Sequence, residues 1–163
     1  MGQANQEQNI TVQITKSFGG PDVDFAKLTK LVKSVCSRFR LSKATVSIAI
    51  VDDAEIRRVN KEFLSSDSPT DCLSFDLSDE SSRSKAGKLF ELVVNGEKAL
   101  KEAKLRGHSG EAELALYITH GLLHNLGFDD STKAKAKKMH DTEDEILQQL
   151  GYGLVYNKNK TVL

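Results

Sequence analysis

Two hydrophobic rhythms run along the chain. "NITVQITKSF", residues 9–18, sets Ile10, Val12 and Ile14 at every second position, the spacing of a strand with one buried face. "PDVDFAKLTKLVKSVCSRFR" then carries Val23, Leu28, Leu31, Val32, Val35, Cys36 and Phe39 at helical spacing, which predicts an amphipathic helix. A second strand is predicted over "ATVSIAIV" and a second helix through "AEIRRVNKEFL", opened by Asp52-x-x-Glu55 as a capping box. The loop "SSDSPTD" leads to a third strand, "CLSFDLS", and the polar "DESSRSKAG" connects it to a fourth, "KLFELVV", with Asn95-Gly96 marking the exit.

From there the period is helical. "EKALKEAKL" predicts a short helix and "GHSG" breaks it. "EAELALYITHGLLHNL" predicts a longer helix whose middle is apolar nearly all round, the mark of a buried element. "STKAKAKKMHDTEDEILQQLG" predicts the last helix, with Ala134, Ala136, Met139, Thr142, Ile146 and Leu150 inward and Gly151 as C-cap. Strands early and helices late predict an α+β fold: one small mixed four-stranded sheet packed with about five helices. Nothing repeats and no linker divides the chain, so residues 1–163 are read as a single domain with residues 1–8 and 157–163 as flexible ends.

Composition narrows the class. A chain of 163 residues, 39% hydrophobic and 28% charged, is an ordinary globular mixture. No apolar run reaches the roughly 20 residues that span a bilayer. The lead-in "MGQANQEQNI" lacks the basic and then apolar order of a signal peptide, which predicts a soluble cytoplasmic protein with no membrane association. Lys plus Arg equals Asp plus Glu at 23 each, so any nucleic-acid surface is a local patch. Cys36 and Cys72 fit neither a disulfide framework nor a CxxC metal spacing and are read as reduced, buried small hydrophobes.

The chemistry concentrates in "ITHGLLHNLGFDD", residues 118–130. His120 and His124, four apart, share one helix face with Cβ atoms about 5–6 Å apart, close enough for two imidazoles to reach one metal ion. A histidine pair satisfied by carbonyls or acids would instead serve packing alone. Gly127 falls where the helix must stop, and its tolerance of positive φ turns the chain back so that residue 130 returns to the pair. The pattern H-x-x-x-H-x-x-G-x-x-D thus offers His120, His124 and Asp130 as metal ligands and leaves a fourth position for water, a catalytic layout. Zinc suits imidazole and carboxylate donors; nickel, manganese and iron share that taste. Asp129 competes with Asp130 as third ligand, but spacing favours Asp130 and leaves Asp129 to brace a histidine. A zinc peptidase of the H-E-x-x-H kind needs a glutamate after the first histidine, and here that position is Gly121.

"HGLLHNLGFDD" resembles the H-G-x-L-H-x-x-G-[YF]-D-H hallmark of the YbeY endoribonucleases except in its last residue, and "NKEFLSSDSPTDCLSF", residues 60–75, is similar to that family's N-x-x-[YF]-R-x-x-D-x-P-T-D-V-L-S-F stretch. The resemblance covers most of the chain. It implies a zinc-hydrolase-like domain, a sheet with a helical layer and one zinc ion at a cleft edge. It also implies single-strand-specific cleavage of RNA in ribosomal RNA maturation and ribosome quality control, with ribosomal subunits or assembly proteins as partners. His120 and His124 would then be catalytic as well as metal-binding.

Three positions depart from the family pattern. Asp130 stands where the family has a third histidine, which lowers the charge of the metal site. Leu64 replaces an arginine associated with RNA phosphate, removing a bidentate donor. Phe90-Glu91 replaces Gly-Asp on the fourth strand and reshapes the expected cleft floor. Arg57, Arg58 and Lys61 are the nearest cations to the missing arginine and read as solvated helix-face charges. His140, among Lys137, Lys138 and Asp141, reads as a surface residue, His108 as a loop residue and "DTEDE" as a solvated acidic face. Asp67, Thr70 and Asp71 around Pro69 are expected to cap or brace the next strand. Leu64 and Asp130 keep an alternative open, a member that has lost catalysis and binds the ribosome or its assembly partners.

Overall fold

Nine elements follow in the predicted order in the computed structural model, which describes residues 8–66, 70–79 and 87–156. The expected flexible ends beyond residue 8 and residue 156, Asp67 and Pro69 of the "SSDSPTD" loop, and most of the "DESSRSKAG" connection lie outside the described residues. The elements are β1 (Asn9–Lys16), α1 (Phe25–Arg38), β2 (Lys43–Val51), α2 (Asp53–Leu64), β3 (Cys72–Asp76), β4 (Lys88–Asn95), α3 (Gly96–Arg106), α4 (Gly110–Asn125) and α5 (Lys133–Gln149). Each helix starts at a side-chain cap: Asp24, Asp52, Asn95, Ser109 and Thr132 each accept a hydrogen bond from the backbone N–H three residues on. Asp52 caps as predicted, but Glu55 does not complete the reciprocal box, because its carboxylate pairs with Arg58 at 2.7 Å.

The sheet runs β1-β2-β4-β3, with β1, β2 and β4 parallel and β3 antiparallel at the edge. Alternation along β2 and β4 divides the core. Val46, Ile48, Ile50, Phe90, Leu92 and Val94 face α1 and α4, while Val51, Val93 and Leu73 meet Ile56 and Val59 of α2 on the other side. Helices therefore cover both faces, with α2 alone on the second. Phe90 is a core residue on the face toward α1 and α4, and Glu91 alternates to the α2 face.

α4 fills the centre. Leu114, Ala115, Leu116, Ile118, Leu122 and Leu123 are all buried, and the helix packs against α1, α3, α5, β3 and β4. Each such leucine or isoleucine contributes about 1.5–3 kcal/mol on leaving water. At Gly121 a Cβ would sit 2.7 Å from Cys72 Sγ and 3.0 Å from Leu92 Cδ2, so only glycine lets the helix lie this close to the sheet. The position that carries a base in H-E-x-x-H peptidases thus points into the core. Cys36 is buried as predicted, its thiol pushed up to about 11 by burial, whereas Cys72 is half-buried against α4.

Buried charges correct the reading of "DTEDE" as a solvated face and add to that of His108. His108 does lie in a loop, yet its side chain is enclosed and its Nε2 meets Glu113 Oε1 at 2.5 Å; Arg106 Nη1 reaches the same oxygen at 3.0 Å. Within "DTEDE", Glu143 and Asp144 are buried, and only Asp141 and Glu145 are exposed. The reason is pairing: Asp144 Oδ1 accepts the N–H groups of Val155 and Tyr156 at 3.3 and 3.1 Å, while Arg106 Nη2 donates to both of their carbonyls. The segment after α5 is held from two sides. Among the described residues no helix is long and apolar enough to cross a membrane.

Gly121→Ala should destabilise the protein by about 2 kcal/mol through overpacking, read as a fall in Tm of roughly 4–8 °C at this chain length. An unchanged thermal melt would mean that the α4–β3 contact yields freely.

Candidate metal centre

The last two turns of α4 present His120 and His124 on a partly open side, with side chains about one quarter and one third exposed. Gly127, at φ 97°, reverses the chain, and the Phe128 N–H closes back onto the Leu123 carbonyl at 2.9 Å. Phe128 anchors this turn by setting its ring edge-on to Phe39, 5.6 Å between centroids. Asp130 is thereby carried back toward the two imidazoles, as the glycine spacing predicts.

Three atoms converge. His120 Nε2 and His124 Nε2 are 3.1 Å apart, and Asp130 Oδ2 lies 3.7 and 3.8 Å from them. A triangle with these sides has a circumradius of about 2.1 Å, within the range of zinc–nitrogen and zinc–oxygen bonds. Among the described residues these three form one of two groups able to hold a metal ion. The donor set and its spacing fit a divalent transition metal.

The far side of each ring fixes which nitrogen faces the gap. His124 Nδ1 donates to the Phe128 carbonyl at 3.2 Å, and His120 Nδ1 donates to Glu143 Oε1 at 2.7 Å, so both Nε2 lone pairs point to Asp130. Burial disfavours the charged form of His120, but the hydrogen bond to Glu143 and the charges of Glu143, Asp130 and Asp71 outweigh it and raise the pKa above the usual histidine value.

Glu143 is fully buried, and its second oxygen, Oε2, accepts from His140 Nδ1 at 2.9 Å. His140 is therefore no surface residue: its ring is sandwiched between Tyr156, stacked at 3.5 Å, and His120 at 6.0 Å. His120, His140 and Glu143 make up the second group with ligating atoms in reach of one another, but there the carboxylate oxygens are already occupied by ring N–H groups.

Asp129 does not brace a histidine. Its Oδ1 accepts the Ser131 N–H at 2.6 Å, and its Oδ2 takes the Ser131 hydroxyl at 2.9 Å and Lys135 at 3.2 Å; hydrogen bonds from Ser131, then Lys135, hold the carboxyl below its ordinary pKa. Spacing alone could not separate this turn-forming role from a contact with imidazole. The brace is Glu143, which sequence reasoning missed. Its signal was a glutamate on the apolar face of α5, four residues after Met139 and three before Ile146, where an unpaired charge would not be tolerated.

The remaining positions behave more simply. Leu64 is 55% exposed at the end of α2. Arg57 pairs with Asp53, and Arg58 with Glu55 and Glu62, so both are helix-face charges as expected. Thr70 and Asp71 brace the entrance to β3: buried Asn95 donates its side-chain amide to the Thr70 carbonyl at 3.2 Å and its backbone N–H to the Asp71 carbonyl at 2.8 Å. The Asp71 carboxylate pairs with Lys98.

A relative in Carboxydothermus hydrogenoformans named Endoribonuclease YbeY is 41% identical over 141 residues, 85% of this chain and 96% of that protein. One of the same name in Myxococcus xanthus is 34% identical over 148 residues, 90% of this chain, which spans only 49% of that longer relative. The fold is shared with a Thermotoga maritima protein of known solution structure, at a TM-score of 0.55 and 23% identity, covering 85% of this chain and 91% of that one. Residues 13–151 match the family described as Endoribonuclease YbeY, and the chain belongs to that family.

Proposed function

We propose that the chain is a metal-dependent endoribonuclease that cuts single-stranded RNA, with ribosomal precursors as substrate and ribosome quality control as setting, in the cytoplasm. The observation that carries this reading is the convergence of His120 Nε2, His124 Nε2 and Asp130 Oδ2 with both Nδ1 atoms anchored. Zinc is the metal the donor set fits best, and iron(II) and manganese share two-histidine, one-carboxylate sites. His120, His124 and Asp130 would hold the ion, which would contribute Lewis acidity toward a phosphodiester and lower the pKa of a water toward neutrality.

The protein's own residues do the rest. Glu143 and the Phe128 carbonyl hold the imidazoles so that neither ring turns away from the gap. Asp130 adds a negative charge where a histidine would add none, which lowers the electrophilicity of the site. The side of the cluster facing solvent stays open to a strand of RNA, since Asp130 is nearly half exposed.

The second reading, a ribosome- or assembly-binding member without turnover, draws on one observation: exposed Leu64 offers no phosphate donor where the family pattern has arginine. RNA cleavage with many turnovers per protein, stimulated by metal, eliminates it.

Three outcomes test the proposal. Protein prepared without chelator or histidine tag should carry near one zinc per chain by elemental mass spectrometry; His124→Ala should lose metal and RNA cleavage together, and Asp130→His should keep or raise both. Full cleavage by His124→Ala would place the chemistry elsewhere. Glu143→Gln should weaken zinc binding about 10- to 100-fold by loosening His120, measured by competition with a chromophoric chelator; parent-like affinity would make Glu143 a packing residue only. Protonated His120 carries its second proton on Nε2, the atom that faces the metal, so its raised pKa makes proton and metal compete at higher pH. Zinc affinity should therefore be constant above that raised value and fall about tenfold per pH unit below it. A flat profile between pH 8 and pH 5 contradicts the assignment.

A further inference from the structure

Directly beside the histidine cluster, the turn after α4 and the first turns of α5 enclose an open cleft of about 360 Å³, lined by Leu126, Gly127, Phe128, Asp129, Lys135 and Lys138. It shares Phe128 with the candidate metal centre, since the carbonyl of this lining residue accepts from His124 Nδ1. Three features of its wall point to one ligand chemistry. Leu126 and Phe128 supply an apolar side, and nothing lies within 4 Å of where a Cβ of Gly127 would stand, so the floor is open. The Lys138 ammonium stands over the Phe128 ring at 5.8 Å and makes no ion pair among the described residues. Asp129, the one acid in the wall, is already neutralised by Lys135 at 3.2 Å.

The sequence around the cleft strengthens the cationic side. "KAKAKK", residues 133–138, puts four lysines at the start of α5 in a chain whose total charge is zero. Lys137 is spent on Asp141 and Lys135 on Asp129, which leaves Lys138 as the cation of the cleft. An apolar wall beside a single ammonium, within a volume of nucleotide size, matches an unpaired base and its phosphate; a base inside a duplex has no free face to offer such a wall.

We propose that this cleft binds one nucleotide of single-stranded RNA flanking the phosphodiester at the histidine cluster, its base along Leu126 and Phe128 and its phosphate on Lys138. The assignment rests on RNA as the substrate but not on turnover. It supplies a phosphate donor from α5 where Leu64 of α2 offers none, and it makes preference for unpaired RNA a property of the Leu126–Phe128 turn.

The test measures binding of a fluorescein-labelled single-stranded RNA by anisotropy, with protein stripped of metal so that cleavage does not intervene. Lys138→Gln should weaken binding about fivefold and reduce the slope of log affinity against log salt by about 0.7, the value for one lost phosphate contact on a single strand. Lys138→Arg should restore both, and Lys30→Gln, at an exposed site on α1, should leave both at the parent values. Circular dichroism confirms that each variant is folded. Parent-like affinity and slope for Lys138→Gln, equal losses for Lys30→Gln, or no binding by the parent each overturn the proposal. Lys138-dependent binding in a protein that never cleaves RNA when loaded with zinc keeps the cleft and removes the catalytic reading, so the two fail separately.

Discussion

A helix enclosed on nearly every side has only one place to keep a polar group, and α4 is such a helix. α1, α3, α5 and two strands surround it, and Gly121 draws it against the sheet as closely as backbone permits. What remains open is the short arc that carries His120 and His124. The position of the candidate metal centre is therefore set by packing: rotating or sliding α4 to move the histidines would expose leucines worth several kcal/mol. Rigid burial of the supporting helix is also what a metal site requires, since ligand directions have to survive thermal motion.

The same burial brings acids indoors and obliges them to be paired. Glu143 spends one oxygen on His120 and the other on His140, and Asp144, the next residue, ties down the backbone of Val155 and Tyr156. Glu113 on α4 is matched by Arg106 and His108. A buried carboxylate with a missing partner costs several kcal/mol, so these groups hold one geometry tightly or not at all. Adjacent residues of α5 thus fix the orientation of a candidate ligand and the path of the chain beyond the helix, which links the site to a segment distant from it in sequence.

Much of this was legible in the residues. Alternation placed all four strands, helical spacing placed all five helices, and the Gly127 interval placed Asp130 beside the histidine pair. What escaped was partner choice. "DTEDE" and His140 carry the charge of a surface, and nothing local tells Glu143 from Glu145; only the inward face of α5, shared with Met139 and Ile146, separates them. Asp129 and Asp130 are equally acidic and adjacent, and the difference came from Ser131 and Lys135 capturing one of them. Which face of the sheet each helix covers was not read from the sequence, although the alternation of β4, with Val93 opposite in direction to Leu92 and Val94, already required an apolar cover on both faces.

The clamp on Val155 and Tyr156 has a consequence for how the protein is made. A chain leaves the ribosome from its first residue onward, and domains fold as their parts emerge. His120 and His124 come out well before Glu143, and Tyr156, whose ring closes the stack over His140, comes later still. Sheet and α4 can assemble while the histidine cluster still lacks its brace and its outer wall. The cluster becomes whole only after Glu143 and Tyr156 have followed, so a nascent chain can have its sheet and α4 in place before it has a finished site.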